Sequence, residues 1–209
     1  SGNRMGSTTP KQFLELLGQP ILMHAIQKFH HCIPSGEIIL ALPENEQNTW
    51  QQLCQQHAFA IPHTIVNGGA TRFHSVQNAL QEVKEDGLVA IHDGVRPLVS
   101  ETVILNCLKA AQKHGAAIPV LALEDSIRQK TENGSQVADR NKFTLVQTPQ
   151  CFQSDLILKA YRQSFNNRFT DDASVVEQLA HSIHLVDGNK ENIKITAPTD
   201  LKMAASYLV

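Results

Sequence analysis

Asp93 and Arg96 stand three residues apart in His92-Asp93-Gly94-Val95-Arg96-Pro97, directly after the apolar run Leu88 to Ile91. A buried strand that ends in an acid and then a base delivers both to the carboxyl edge of a sheet, where open α/β sheets bind ligands. Taken alone the same residues also suit a helix cap with a surface ion pair, so the other charged positions carry weight. Lys11 follows Pro10 in Thr9-Pro10-Lys11-Gln12-Phe13, just beyond the fragment Ser1-Gly2-Asn3-Arg4-Met5-Gly6. Proline stiffens the chain ahead of the ammonium, and glycine-rich backbone amides cradle phosphates. Arg4 and Lys11 together would set two cations against one anionic ligand. Nucleotidyl transfer needs this, because charge on the equatorial oxygens and the departing diphosphate must be neutralised by groups already in place.

Three further segments bear on the same chemistry. Gly68-Gly69-Ala70-Thr71-Arg72-Phe73-His74-Ser75 ends a strand and opens a helix, so the backbone can pass close to a planar ligand while Ser75 offers a hydroxyl. Asn192-Ile193-Lys194-Ile195-Thr196 is β-like; alternation turns Ile193 and Ile195 one way and Lys194 the other. Phe169-Thr170-Asp171-Asp172-Ala173-Ser174 reads as an N-cap with acids in the first helical turn. The ten histidines include His30-His31 and His181-x-x-His184, but no cysteine or spaced carboxylate completes a ligand set. No protein metal site is expected; a metal taking part would be Mg²⁺ held through substrate phosphates.

These residues need a scaffold, and the hydrophobic pattern supplies one. Strand-length runs at 37–42, 64–66, 88–91, 117–121 and 184–186 alternate with helix-period segments at 20–29, 44–56, 72–83, 101–113 and 171–180. Such alternation predicts parallel strands joined by right-handed helical crossovers, a Rossmann-like doubly wound α/β sheet that is mostly parallel. Residues 124–146 break the rhythm. They are polar and hold Asn133-Gly134 between two β-prone stretches, which predicts a projecting β-hairpin arm for dimerisation. The glycine-rich fragment has no hydrophobic strand ahead of it, and the first strand of a parallel sheet normally precedes such a loop and lies centrally. The expectation is therefore a native N-terminal strand and loop front ahead of Ser1.

At 209 residues and 42% hydrophobic, the chain suits one domain over 1–209 with the arm at 124–146. A formal charge of -2 gives no polycationic field for nucleic acid. Cys32, Cys54, Cys107 and Cys151 form no C-x-x-C pair, which argues for buried thiols in a reducing cytoplasm. No apolar run approaches bilayer-spanning length, so no membrane partner is expected.

In order along the chain, Gly2-x-Arg4-Met-x4-Pro-Lys11-Gln-Phe, Gly68-Gly69-x-x-Arg72-x-x-Ser75-Val, His92-Asp93-x-x-Arg96-Pro, Asp125-Ser126-Ile, Asp139-Arg140, Gln147-Thr148-Pro-Gln-x-Phe, Thr170-Asp-Asp-Ala-Ser and Asn192-Ile-Lys194-Ile-Thr closely resemble the 2-C-methyl-D-erythritol 4-phosphate cytidylyltransferase family. The resemblance implies transfer of CMP from CTP to 2-C-methyl-D-erythritol 4-phosphate in non-mevalonate isoprenoid biosynthesis, with Mg²⁺ carried by the CTP phosphates and a homodimer as the working unit. It further implies that Arg4, Lys11 and Lys194 hold the triphosphate, with Gly2, Gly69 and Ser75 on the CTP side. Asp93, Arg96, Ser126, Thr148 and Thr170 would line the acceptor pocket, with Arg140 reaching across the dimer to the acceptor phosphate. Ser126 stands where threonine is usual, and Ala70 where an acid is frequent. A ribitol 5-phosphate cytidylyltransferase shares the fold and mechanism and is the nearest rival; a non-catalytic nucleotide-binding protein is the rival of another class.

Overall fold

The computed structural model describes residues 9–84 and 86–208; Gly2, Arg4 and the rest of the glycine-rich fragment lie outside the described residues, as does any strand ahead of them. After a single 3-10 turn at Lys11–Phe13, strands β1 (Glu15–Leu16) and β2 (Gln19–Pro20) form a tight hairpin whose two turn residues, Leu17 and Gly18, both have positive φ. Helix α1 (Ile21–Cys32) follows at once, burying Ile21, Leu22, Met23, Ala25 and Ile26 along one stripe. Strand β3 (Ile39–Leu42) then pairs in parallel with β4 (Thr64–Asn67) across helix α2 (Glu44–Gln56). Trp50, the only tryptophan, is fully buried there among Phe13, Leu22, Met23, Ile26 and Leu42, and its indole N–H donates to His63 Nε2 at 2.9 Å.

The larger sheet contains β5 (Leu88–Ile91), β6 (Ala116–Ala122), β9 (Thr144–Val146), β10 (Gln150–Gln153) and β11 (His184–Asp187), in the order β11-β6-β10-β5. β11 and β6 are parallel, and β10 runs against both β6 and β5, so β5, β6 and β11 share one direction. β9 pairs antiparallel with the far part of β6, and between them Gln147 N–H donates to Pro119 C=O. The parallel expectation thus holds for the strands read from periodicity. The antiparallel β9–β10 segment was not foreseen, because its runs are short and follow a polar stretch.

Helices cover both faces, and pleating shows how. Cys151 faces α4 (Glu101–His114) with Cys107, Ala111 and Ala117, while the next residue, Phe152, faces the opposite cluster with Ala116. That second cluster takes Phe73 and Leu80 from α3 (Arg72–Leu80), Ile157 and Ala160 from α5 (Ser154–Ala160), and Val175 and Val176 from α6 (Asp172–Glu177). Truncating Phe152 to Ala would cost about 3–5 kcal/mol. Helix α4 starts on Ser100, whose hydroxyl accepts from Val103 N–H, and ends on Gly115 at φ 85. The last helix, α7 (Pro198–Ser206), packs with Ile195 and Leu16.

The arm is present as β7 (Ile127–Thr131) and β8 (Gly134–Ala138), antiparallel and exposed. Its register pairs Thr131 with Gly134, so the turn is Glu132-Asn133, one residue earlier than Asn133-Gly134 suggests. Among the described residues no ladder joins β3 to β5. A cavity between them is lined on its apolar side by Ile39, Leu40, Val76, Leu80, Val89 and Ile91.

Candidate active site

The polar end of that cavity is where β5 ends. Lys11, Gly69, Arg72, Ser75, Asp93 and Lys194 all line it. Asp93 is the centre: Oδ2 lies 2.9 Å from Lys194 Nζ and 3.4 Å from Arg96 Nε, and Oδ1 lies 3.6 Å from Arg72 Nε. Burial by itself would push the Asp93 carboxyl up; the charges of Lys194, Arg72 and Arg96 outweigh it and hold the group below the usual carboxylate range. Arg72 is also claimed by Asp172, so two acids face three bases around Asp93, and Lys194 is left as the cation that opens into the cavity toward an anionic ligand.

The turn carrying Asp93 is fixed by a chain of hydrogen bonds with one consistent direction. His92 Nε2 can only donate to the carbonyl of Arg96, at 2.9 Å, which leaves Nδ1 as an acceptor. The Thr148 hydroxyl lies 3.0 Å from Nδ1 and donates to it, and its oxygen accepts from Asp93 N–H at 3.1 Å. Arg96 N–H donates to Asp93 C=O, and Arg96 Nη1 donates to Asn192 C=O at 2.7 Å, tying the turn to the Lys194 segment. Burial pushes the His92 imidazole down to about 4. Burial also lowers Arg96, against the pull of Asp93.

Residues 192–196 form no strand. Their alternation still holds, since Ile195 is fully buried beside Leu16 and its N–H donates to Val95 C=O, while Lys194 opens into the cavity. Across the cavity, Gly69 N–H donates to Ser75 Oγ at 2.9 Å, and that hydroxyl donates to Thr71 C=O at 3.0 Å. A Cβ on Gly69 would lie 2.4 Å from His74 Cβ and 2.8 Å from its carbonyl carbon, so only glycine lets this loop lie flat on the helix start. Ser75 is therefore first of all the fastening of the loop.

The structure gathers Lys11, Gly69, Ser75, Asp93 and Lys194 around one cavity, with Arg96 and Thr148 directly supporting Asp93. Thr148 is buried, with its single hydroxyl hydrogen spent on His92. It underpins Asp93, where the resemblance implied pocket lining. Ser126, Arg140 and Thr170 do not line the cavity. Ser126 sits exposed at the base of the arm, Arg140 donates to the carbonyl of Glu124, and Thr170 N–H donates to Ser174 Oγ on an exposed edge.

Sequence reasoning left one part of the site unread. Arg72 forks onto Asp172, Nη1 to Oδ1 at 2.8 Å and Nη2 to Oδ2 at 2.5 Å, and the Tyr161 hydroxyl donates to the same Oδ1 at 2.6 Å. Asp172 is fully buried. The signal available was electrostatic: a cation at the first position of a helix opposes the macrodipole and calls for an acid elsewhere. Asp171 does cap α6 through a box with Ser174, as its position suggests. Among the described residues, no three His, Cys, Asp or Glu side chains are grouped to hold a metal ion, and no helix is long and apolar enough to cross a membrane.

Comparison with known proteins identifies the family. The family model for 2-C-methyl-D-erythritol 4-phosphate cytidylyltransferase matches residues 1–209. The chain is similar to the protein of that name from Bacteroides fragilis, 51% identical over 207 residues covering 99% of this chain and 94% of the relative. The one from Bacteroides thetaiotaomicron is 48% identical over the same shares. Among solved structures, that of the 2-C-methyl-D-erythritol 4-phosphate cytidylyltransferase from Thermus thermophilus superposes with a TM-score of 0.78 at 33% identity, covering 95% of this chain and 93% of its own. A 4-diphosphocytidyl-2C-methyl-D-erythritol synthase from Anaerococcus prevotii reaches 0.84 at 26% identity, covering 98% and 92%.

Proposed function

The chain belongs to the 2-C-methyl-D-erythritol 4-phosphate cytidylyltransferase family, and on that premise we propose that the Asp93 cavity is where CTP and the acceptor meet. The enzyme transfers CMP from CTP to 2-C-methyl-D-erythritol 4-phosphate, giving 4-diphosphocytidyl-2-C-methyl-D-erythritol and diphosphate for isoprenoid precursor biosynthesis. A phosphate oxygen of the acceptor attacks the α-phosphorus of CTP in line; that bond forms as the bond to the β-phosphate bridging oxygen breaks, and diphosphate leaves. No protein nucleophile is needed. The protein's work is placement and charge.

The observation that carries this reading is the single cavity shared by Lys11, Lys194 and Asp93. Lys11 and Lys194 act on the triphosphate, where positive charge counts most as the transition state forms. Arg4 is assigned the same task, from outside the described residues. Gly69 and Ser75 hold the loop against which the nucleoside rests, and the tight packing of Gly69 on His74 supports a close backbone approach there. Asp93, set by Thr148, His92 and Arg96, accepts hydrogen bonds from acceptor hydroxyls. Asp93 is a poor ligand for a cation, because it already faces three bases. A Mg²⁺ ion would be held through the CTP phosphates and would supply neutralising charge to the diphosphate there.

The working unit is a homodimer. In support, Val137 on the arm and Phe143, Leu145 and Val146 beside it are exposed apolar side chains of one contiguous stretch. Arg140 and Ser126 lie at the base of that arm, so they would serve the partner's acceptor pocket, the guanidinium meeting the acceptor phosphate. Incubation with CTP, Mg²⁺ and either 2-C-methyl-D-erythritol 4-phosphate or ribitol 5-phosphate tests the assignment by diphosphate release. Release with the methylerythritol acceptor is expected; release with ribitol phosphate alone would overturn it, and CTP binding without release with either would indicate a non-catalytic nucleotide-binding protein.

A further inference from the structure

Arg72 is built to do two things at once. Its terminal nitrogens clasp Asp172 from the buried side, and its Nε edge turns toward Asp93 Oδ1 in the cavity, 3.6 Å away. Desolvation works against a buried guanidinium, but Asp172 first and Asp93 second outweigh it, so the charge is permanent. The grip on the far side is itself gripped: Tyr161 donates to Asp172, and Gln150 on β10 holds the same helix start by donating to Asp171 Oδ2 and accepting Ala173 N–H. A helix staple would need only the Asp172 contact. The Nε edge, over a side chain 37% exposed, points to a second task at the carboxylate.

We propose that Arg72 is a positioning residue for the acceptor: anchored by Asp172 and Tyr161, it fixes the carboxylate plane of Asp93, leaving Oδ2 to be shared among Lys194, Arg96 and acceptor hydroxyls. The proposal rests on the reading of Asp93 as the acid that receives those hydroxyls. Only arginine serves, because a lysine ammonium satisfies Asp172 as a point charge but has no second edge to lay against Asp93.

Steady-state kinetics of the full chain test this, starting with the unaltered enzyme. If it fails to turn over 2-C-methyl-D-erythritol 4-phosphate, the functional reading is what falls. Given turnover, Arg72→Lys is expected to raise KM for the acceptor by about tenfold or more, since small misplacements of a binding group are costly, while KM for CTP stays within about twofold. In an Asp93→Asn background the same substitution should change acceptor KM by less than about twofold, because the two residues act as one unit. The acidic limb of kcat/KM for the acceptor should also move to higher pH in Arg72→Lys. Asp93 is faced by Lys194, Arg72, Arg96 and the neighbouring His92, and a lysine ammonium drawn onto Asp172 stands farther from Asp93 than the Arg72 Nε edge, which weakens that attraction and lets the carboxyl rise. An unchanged acceptor KM in folded Arg72→Lys, or an equal effect with and without Asp93, would overturn the proposal. Should Arg72→Lys not fold, Tyr161→Phe loosens the anchor alone and is expected to raise acceptor KM by about two- to threefold with CTP KM unchanged; no change in acceptor KM there would equally overturn it.

Discussion

Replacing Thr148 by Val removes one hydroxyl and keeps the shape, which isolates the bond network under Asp93. Two buried groups lose their partner: Asp93 N–H, now 3.1 Å from Thr148 Oγ1, and His92 Nδ1, 3.0 Å from it. Each buried polar group left unpaired costs about 1–3 kcal/mol, so the pair costs about 2–6 kcal/mol. In a chain of this size about 1 kcal/mol moves the melting temperature by about 2–4 °C, giving an expected fall of about 4–24 °C for Thr148→Val. Thermal unfolding followed by circular dichroism reads this directly. Thr148→Ser keeps the hydroxyl and should stay close to the parent protein. A Thr148→Val protein melting within about 2 °C of the parent, or a Ser variant falling as far as the Val variant, would show that the hydroxyl does not bridge His92 and Asp93.

Two further outcomes follow from the same site. His92 titrates at about 4 in the folded chain against an ordinary 6.5, so the folded state binds fewer protons between those values. The stability conferred by the neutral ring is complete above pH 6.5 and is lost as pH falls toward 4, about 3 kcal/mol in all at about 1.4 kcal/mol per pH unit. Urea midpoints from pH 7 to 4 should fall more steeply for the parent than for His92→Gln, and parallel curves would refute the assignment. Lys11→Ala should lower kcat by about a hundredfold or more while weakening CTP binding by less than about tenfold, since its charge is needed most in the transition state; unaltered turnover in single-turnover assays would remove Lys11 from the chemistry.

Much of this molecule was legible before its structure. The run ending at Asp93 became β5 with the boundaries its apolar residues suggested, and Glu44–Gln56 became α2 without adjustment. What escaped was set by distant partners. β10 is as long as β5 but has only Cys151 and Phe152 between two glutamines, so no apolar run marks it, and it is a strand because β5 and β6 flank it. The placement of Arg72 depends on Asp172, a hundred residues away, and the buried role of Thr148 depends on His92, fifty-six residues away. The Arg140 side chain lies outside the cavity of its own chain, so one-chain reasoning could name its charge but not its target.

The buried indole of Trp50 gives this protein a built-in optical probe of restricted view. It sits in the half of the molecule formed by α1, α2, β3 and β4, whose core is separate from the one around Phe152. Its emission therefore speaks for that half alone, while far-ultraviolet dichroism averages over all helices and strands. If the two signals part company during denaturation, the halves come apart in sequence; if they coincide, α3, which packs against β3 and β4 and contributes Phe73 and Leu80 to the other core, welds them into a single cooperative unit.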